Sequence, residues 1–455
     1  MIVPSPILLW LAAVGAIPLL TLIGMGGNGA VLGGAGLLLL VLVAVVDVVM
    51  SRRELDDLVV LLPGRINMFK GRAAEVEVRF ANPRKVSQEV RIGLNFPPSL
   101  SSDREDMQVQ LPAAPQQAVV RWQCTPGERG SFRIPSVHLE AQTRFRLWNI
   151  RRHQRTNVEV RVYPDLFEER KRVAMIFLRR NAFGIHAQRQ VGKGREFEKL
   201  RDYAHGDPLE DIHWKATAKR GRPVSKVYQV ERTQEVYVVI DSSRLSARAS
   251  GLLEGEEPDT QDGISTTVLD RFLTAGLLLG LATEQQGDHF GLVTFSDKVH
   301  SVIRAKNGHS HFSLCRDALF QLQPRLVTPD FDELFSTIRV RLRKRALVMV
   351  LTALDDPIIA ESFLRGVDLV SRQHLVLVNM IEPGGTKPLF SRHAPEPQSV
   401  REVYDALAGH ELWQKLRELE GMLGSRGVKF TVTGNELLTR ELLGQYLEVK
   451  QRQIL

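Results

Sequence analysis

Three clusters of acidic and hydroxyl side chains follow apolar runs in this 455-residue chain. They are Asp241 with Ser242 and Ser243, Ser296 with Asp297, and Thr352 through Asp356. Carboxylates in such places can hold a divalent cation that activates water. On these residues alone, a metal-dependent hydrolase using Asp241, Asp355 and Asp356 is one reading. No histidine or lysine stands beside them in sequence to serve as a base. Other constellations fall short. No G-x-x-x-x-G-K-[ST] occurs, and no G-x-G-x-x-G opens a helix after a strand. "GHELWQK" offers Gln414 where a zinc-protease helix needs its second histidine. "GHSHFSLC" brings His309, His311 and Cys315 together, as a metal set or as a core cysteine flanked by surface histidines. His213, near Asp211 and Trp214, reads as a helix-capping residue rather than a base.

Elements must position these groups. From about Glu235 onward, apolar strands alternate with helices. The strands are "EVYVVID", "DHFGLVTF", "ALVMVLTAL", "HLVLVNMI" and "VKFTVTG". This rhythm predicts a parallel, doubly wound α/β sheet covered on both faces. Ligands of such sheets bind outside the carboxyl ends of the strands, where Asp241, Ser296, Asp297 and Thr352 fall. Before it, from about Asp57 to Asp165, segments such as "AEVEVRF" and "AVVRWQC" alternate apolar and polar residues. They predict an antiparallel β-sandwich of immunoglobulin type, with Cys124 in its core.

The first fifty residues differ in kind. "PILLWLAAVGAIPLLTLIGM" and "VLGGAGLLLLVLVAVVDVVM" are each long enough to cross a bilayer, with "GGNGA" as the turn between them. "MIVPSP" lacks the basic leading region of a secretory signal, so a retained hairpin is expected. Asp47, near the end of the second run, is expected to reach the headgroup layer. Arg52 and Arg53 then place the remainder in the cytoplasm by the positive-inside rule. Two cysteines in the whole chain suit a reducing compartment. The net charge of +8 suits an anionic membrane surface or an acidic partner. The expected division is a transmembrane hairpin over 1–53, a β-sandwich over 54–167, a connecting segment over 168–233 and an α/β domain over 234–455.

"VVIDSSRLS" resembles the opening D-x-S-x-S motif of von Willebrand factor type A domains, which begins a metal-ion-dependent adhesion site. Asp241 and Ser243 match it, Leu245 stands where the second serine belongs, and Ser246 is adjacent. The resemblance implies Asp241, Ser243 and Thr328 as ligands of Mg²⁺, a hard cation that takes such oxygens. The aspartate expected after Thr352 is replaced by Ala353.

"GREFEKLRDYAHGDPLEDIHWKATAKRGRP", Gly194 to Pro223, resembles the signature of a bacterial family known as domain of unknown function number fifty-eight. Glu196, Phe197, Leu200, Arg201, Tyr203, Gly206, Asp207, Ile212, Trp214, Lys215 and Ala218 match its pattern. The membrane hairpin, "PGERGSFRI", "GDHFGLVTFSD" and "LLGQYLEVKQ" fit it too. The resemblance implies a non-enzymatic, membrane-anchored adaptor or scaffold acting with a MoxR-type AAA+ ATPase. It implies no catalytic activity, and beyond the Mg²⁺ considered above neither a cofactor nor nucleic acid is expected. Read on their own, Phe197, Leu200 and Tyr203 have helical spacing. A second short helix over "LEDIHWKATAKRG" would be anchored by Ile212 and Trp214. Arg201, Asp207, Lys215 and Arg220 would pair across the two pieces as a brace between domains, or the same face would dock a partner.

Overall fold

The structure is a computed structural model. It describes residues 1–24, 26–51, 55, 58–81, 88–112, 118–167, 170–171, 191–204, 209–229, 233–250, 266–389 and 399–452. Arg52, Arg53, Gly206 and Asp207 lie outside the described residues, and Glu196 and Phe197 are described by backbone alone. The chain forms two compact units, which divide at Asp165.

The first unit opens with β1 (Ile2–Pro4), α1 (Pro6–Gly24) and α2 (Gly27–Ser51). At about 1.5 Å per residue the two helices span roughly 28 and 37 Å, against about 30 Å of bilayer hydrocarbon. Their mean hydropathies are 2.3 and 2.6, and α1 buries no residue. The turn between them uses Gly26 and Gly27, with φ of 71° and 58°, a region open to glycine. Small residues let the helices approach closely. A Cβ on Gly33 would fall 2.6 Å from the Leu19 carbonyl oxygen, and one on Gly36 2.7 Å from the Leu19 side chain.

Nine strands follow: β2 (Val59–Leu61), β3 (Arg65–Phe69), β4 (Ala74–Ala81), β5 (Gln88–Leu94), β6 (Leu100–Ser101), β7 (Met107–Leu111), β8 (Ala118–Pro126), β9 (Gly130–Gln142) and β10 (Trp148–Tyr163). One sheet has the order β1-β10-β9-β5-β7 with β3 also on β10, and the other β2-β4-β8-β6. Both contribute to one core holding Phe80, Ile92, Trp122, Ile134 and Val160. The alternation that predicts these strands is visible in β4, where Val76, Val78 and Phe80 are buried while Glu75 and Arg79 are exposed. The pairing is antiparallel throughout except between β3 and β10, which run parallel.

The second unit begins with β11 (Val191–Asp202), α3 (Trp214–Arg220) and β12 (Val224–Gln229). Phe197, Leu200 and Tyr203 therefore do not share a helix. β11 is a strand paired antiparallel with β12, Leu200 facing Lys226 across the ladder. In "EFEKLRD" the three-residue spacing of Phe197 and Leu200 favours a helix, but β12 pairs with the stretch through a register shift between Phe197 and Lys199, and that pairing overrides the local spacing.

The α/β sheet follows, built from β13 (Glu235–Asp241), α4 (Val268–Gln285), β14 (His289–Phe295), β15 (Val299–Lys306), α5 (His309–Leu319), α6 (Phe331–Arg341), β16 (Leu347–Leu351), α7 (Pro357–Gly366), α8 (Asp368–Ser371), β17 (Leu375–Ile381), α9 (Val400–Ser425), β18 (Lys429–Thr433) and α10 (Leu438–Arg452). The strand order is β15-β14-β13-β16-β17-β18. Helices α4, α5 and α10 bury one face with Phe272, Leu277 and Tyr446. Helices α6 to α9 bury the other with Phe331, Phe335 and Phe363. The sheet is not wholly parallel. β15 is an antiparallel edge, because only the short link Ser296–Lys298 separates it from β14, too short for a crossover.

Candidate functional site

The carboxyl edge of the α/β sheet collects the acidic and hydroxyl groups. Asp241 ends β13, flanked by β14 and β16 on either side, and is buried. Its Oδ1 accepts the Ser243 backbone N–H at 2.8 Å, an Asx turn that lets the chain leave the strand. Its Oδ2 accepts the Thr352 hydroxyl at 2.6 Å, across from the end of β16. Burial pushes this carboxyl above the usual range, against the hydrogen bonds from Thr352 and Ser243 that pull it down. The Ser243 hydroxyl is buried and has no hydrogen-bond partner. The Ser246 hydroxyl instead donates to the Ser243 carbonyl at 2.8 Å.

Two ion pairs that sequence reasoning missed surround this edge. Arg244 meets Asp356 at 3.1 Å, and Arg248 meets Asp355 at 2.5 Å. Asp356 also caps α7 by accepting the Ile358 N–H at 3.0 Å. The spacing of two arginines four residues apart after the Asx turn was the available signal. Thr328 is exposed and makes no hydrogen bond to Asp241 or Ser243. Leu245 and Ala353, in place of the missing ligands, are buried in the apolar core. The orphaned Ser243 hydroxyl beside a buried carboxylate and the Thr352 hydroxyl offers hard oxygen donors. That set is short of the six that Mg²⁺ takes, so waters or a partner's acid would have to fill the remainder.

Elsewhere, the Cys315 thiol is buried 3.6 Å from the His311 ring, whose Nε2 also meets the Phe290 carbonyl at 2.8 Å. Burial pushes that thiol up to about 12 and the Cys124 thiol to about 11, so neither is a ready thiolate ligand. Among the described residues no group of three or more His, Cys, Asp or Glu side chains is arranged to hold a metal.

The family signature forms a compact second site. The Tyr203 N–H donates to the Pro223 carbonyl at 3.0 Å, and the His213 N–H to the Val224 carbonyl at 2.8 Å. His213 caps α3, its Nδ1 accepting the Ala216 N–H at 3.0 Å. Gly221 closes the helix at φ 65°. Ile212 is buried, as an anchor should be. Trp214 is not an anchor; it is 70% exposed, on the outer side of the first turn. Lys215, Lys219 and Arg220 beside it are exposed, and Arg222 pairs with Asp202 at 3.1 Å. Among the described residues Lys215 and Arg220 make no ion pair, so the expected pairing across the two pieces is not seen for them.

Residues 199–387 match the family described as "Protein of unknown function DUF58". No curated protein matches this chain. Among solved structures, proximal thread matrix protein 1 from the mussel byssus is 12% identical over 47% of this chain and 44% of its own, with a TM-score of 0.23. The chain thus spans less than half of that protein's length. The same byssus protein with a zinc-occupied MIDAS motif is 13% identical, again with a TM-score of 0.23. An uncharacterized membrane spanning protein from Vibrio fischeri is 13% identical over 49% of this chain and 100% of its own, with a TM-score of 0.17. Likenesses this slight carry no argument, and the fold rests on the strand order and packing given above.

Proposed function

Starting from residues 199–387 as a domain of the family of unknown function DUF58, we propose that this chain is a non-enzymatic adaptor anchored in a membrane by its N-terminal hairpin. Its partner is a MoxR-type AAA+ ATPase or a client of one, as the family resemblance implies. Trp214 carries this reading. A tryptophan left 70% exposed on a helix rich in lysine and arginine offers its ring to a partner rather than to a core. Trp and Arg are the residues that most often dominate binding energy at protein interfaces. The neighbouring Lys215, Lys219 and Arg220 favour an acidic surface on the partner.

The test is capture of a purified MoxR-type ATPase by the full chain in detergent. Trp214→Ala should weaken binding by about 30-fold, the scale of an interface anchor, with the melting temperature unchanged. Equal binding by the variant would remove the signature helix from the interface.

The carboxyl edge gives a second contact. There the von Willebrand factor type A-like reading has the partner supply the acid that completes a cation site at Asp241 and Ser243. Against a hydrolase, Asp355 and Asp356 are already occupied by Arg248 and Arg244. Both would have to be released before either could bind a metal.

A further inference from the structure

The β9–β10 turn is bolted to both feet of the membrane-length hairpin. Asp47 sits one turn before the end of α2 and is fully buried. Its Oδ2 accepts the Thr143 hydroxyl at 2.5 Å and the Leu147 N–H at 3.3 Å, and its Oδ1 the Phe145 N–H at 3.0 Å. The Ser51 hydroxyl accepts the Arg144 N–H at 3.2 Å, and the Trp148 indole donates to the Ala44 carbonyl at 3.0 Å. The start of α1 grips the same turn. Ser5, also buried, donates its hydroxyl to the Arg146 carbonyl at 2.6 Å and its N–H to the Leu147 carbonyl at 3.0 Å. Asp47 therefore does not reach out to a headgroup. It holds a protein turn at the height where the apolar part of both helices ends.

What that turn presents is Arg144, Phe145 and Arg146, all exposed, with Phe145 54% accessible. Arg146 adopts φ 59°, a conformation a non-glycine side chain keeps when its surroundings hold it there. Neither arginine has an acidic partner among the described residues.

We propose that this turn is a lipid-reading foot. Phe145 enters the interface of the bilayer that holds α1 and α2, and Arg144 and Arg146 bind the phosphates of anionic lipids. The proposal rests on the reading of α1 and α2 as a membrane hairpin. Three observations select lipid as the occupant. Both helix ends are hydrogen-bonded to the turn, from Gly27 to Val46 is about 30 Å, the thickness of the hydrocarbon, and two cations flank one aromatic ring. Two arginines at such a surface favour an anionic over a neutral leaflet by about 30-fold.

The experiment uses the full chain in nanodiscs of phosphatidylcholine alone, or with about one third phosphatidylglycerol. A fluorophore on Phe145→Cys is read by quenching from lipids brominated near the headgroup. Cys124 and Cys315 are buried, so the new thiol takes the label. Quenching should rise about twofold with phosphatidylglycerol, and Arg144→Glu with Arg146→Glu should abolish the rise. A label equally unquenched in both discs, or a rise that survives the charge reversal, would overturn the foot. Leu38→Cys, in the middle of α2, reports anchoring itself. Quenching there by lipids brominated deep in the chain, without quenching at 145, sinks the foot alone, whereas failure at both sinks the membrane reading.

Discussion

The Ser243 hydroxyl is a buried donor and acceptor with nothing to bond, next to a carboxyl whose two oxygens are already taken. Leaving such a group unpaired costs about 1–3 kcal/mol. Ser243→Ala should therefore hold or raise the melting temperature in chelator. In the wild type, saturating Mg²⁺ should add about 2–4 kcal/mol by mass action, and the alanine variant should lose that gain. Differential scanning fluorimetry with and without Mg²⁺ checks both. A wild type indifferent to Mg²⁺ would remove the cation from the carboxyl edge. Sequence showed the position of this group but not its predicament. D-x-S placed Asp241 and Ser243 at a strand end, whereas the Thr352 bond to Asp241 joins residues 111 apart, and no local spacing announces it. The exposure of Trp214 escapes the sequence for the opposite reason. Large aromatic residues are usually buried, and the spacing of "DIHWK" says nothing of which side of a short helix faces water.

At the scale of elements, His374 tests how the sheet is assembled. It stands just before β17, is 3% exposed, and neither ring nitrogen has a hydrogen-bond partner. Burial pushes its pKa below the ordinary value. The unfolded imidazole takes up a proton near pH 6.5, while the folded one resists until lower pH. Between those points the unfolded state binds more protons, so this residue's contribution to stability falls as pH drops below about 6.5. The loss should approach about 1.4 kcal/mol per pH unit, and His374→Leu should remove it. Urea midpoints between pH 7.5 and 5 measure the slope, and equal slopes for both proteins would mean His374 titrates normally in the fold.

The α/β strands were legible because continuous apolar runs between helices have few other readings. β15 was not, because "VHSVIRAK" is half-buried on an edge and carries no clear period. β11 was not, because Phe197 and Leu200 stand at helical spacing and only the irregular pairing with β12, which no local pattern announces, makes the stretch a strand. Tyr446 shows a further limit. Its hydroxyl bonds Asp288, which also meets Lys450 at 2.8 Å, so the last helix is fixed to the start of β14 by groups more than 150 residues apart.

For the whole molecule, the proposed membrane hairpin carries a prediction about sidedness. Ser5 and Ser51 bind the same β-turn, so on the proposed reading two passes return the chain to the side on which it began. Asp47 makes the connection stiff. Asp47→Leu would remove the acceptor for the Thr143 hydroxyl and the Phe145 and Leu147 N–H groups, and should destabilise the first unit by about 3 kcal/mol or more. On that proposed reading, the positive-inside rule applied to Arg52 and Arg53 predicts that this side is the cytoplasm. A green fluorescent protein fused after Leu455 should therefore fluoresce, and alkaline phosphatase fused there should be inactive. Reversing both charges with Arg52→Glu and Arg53→Glu should lower the fluorescent fraction. An active phosphatase in the wild type would put Trp214 and the carboxyl edge on the far side of the bilayer, where no ATP-driven partner could reach them. The adaptor reading would then fail whatever the binding assays in detergent gave, while the lipid-reading foot would stand and act on the opposite leaflet.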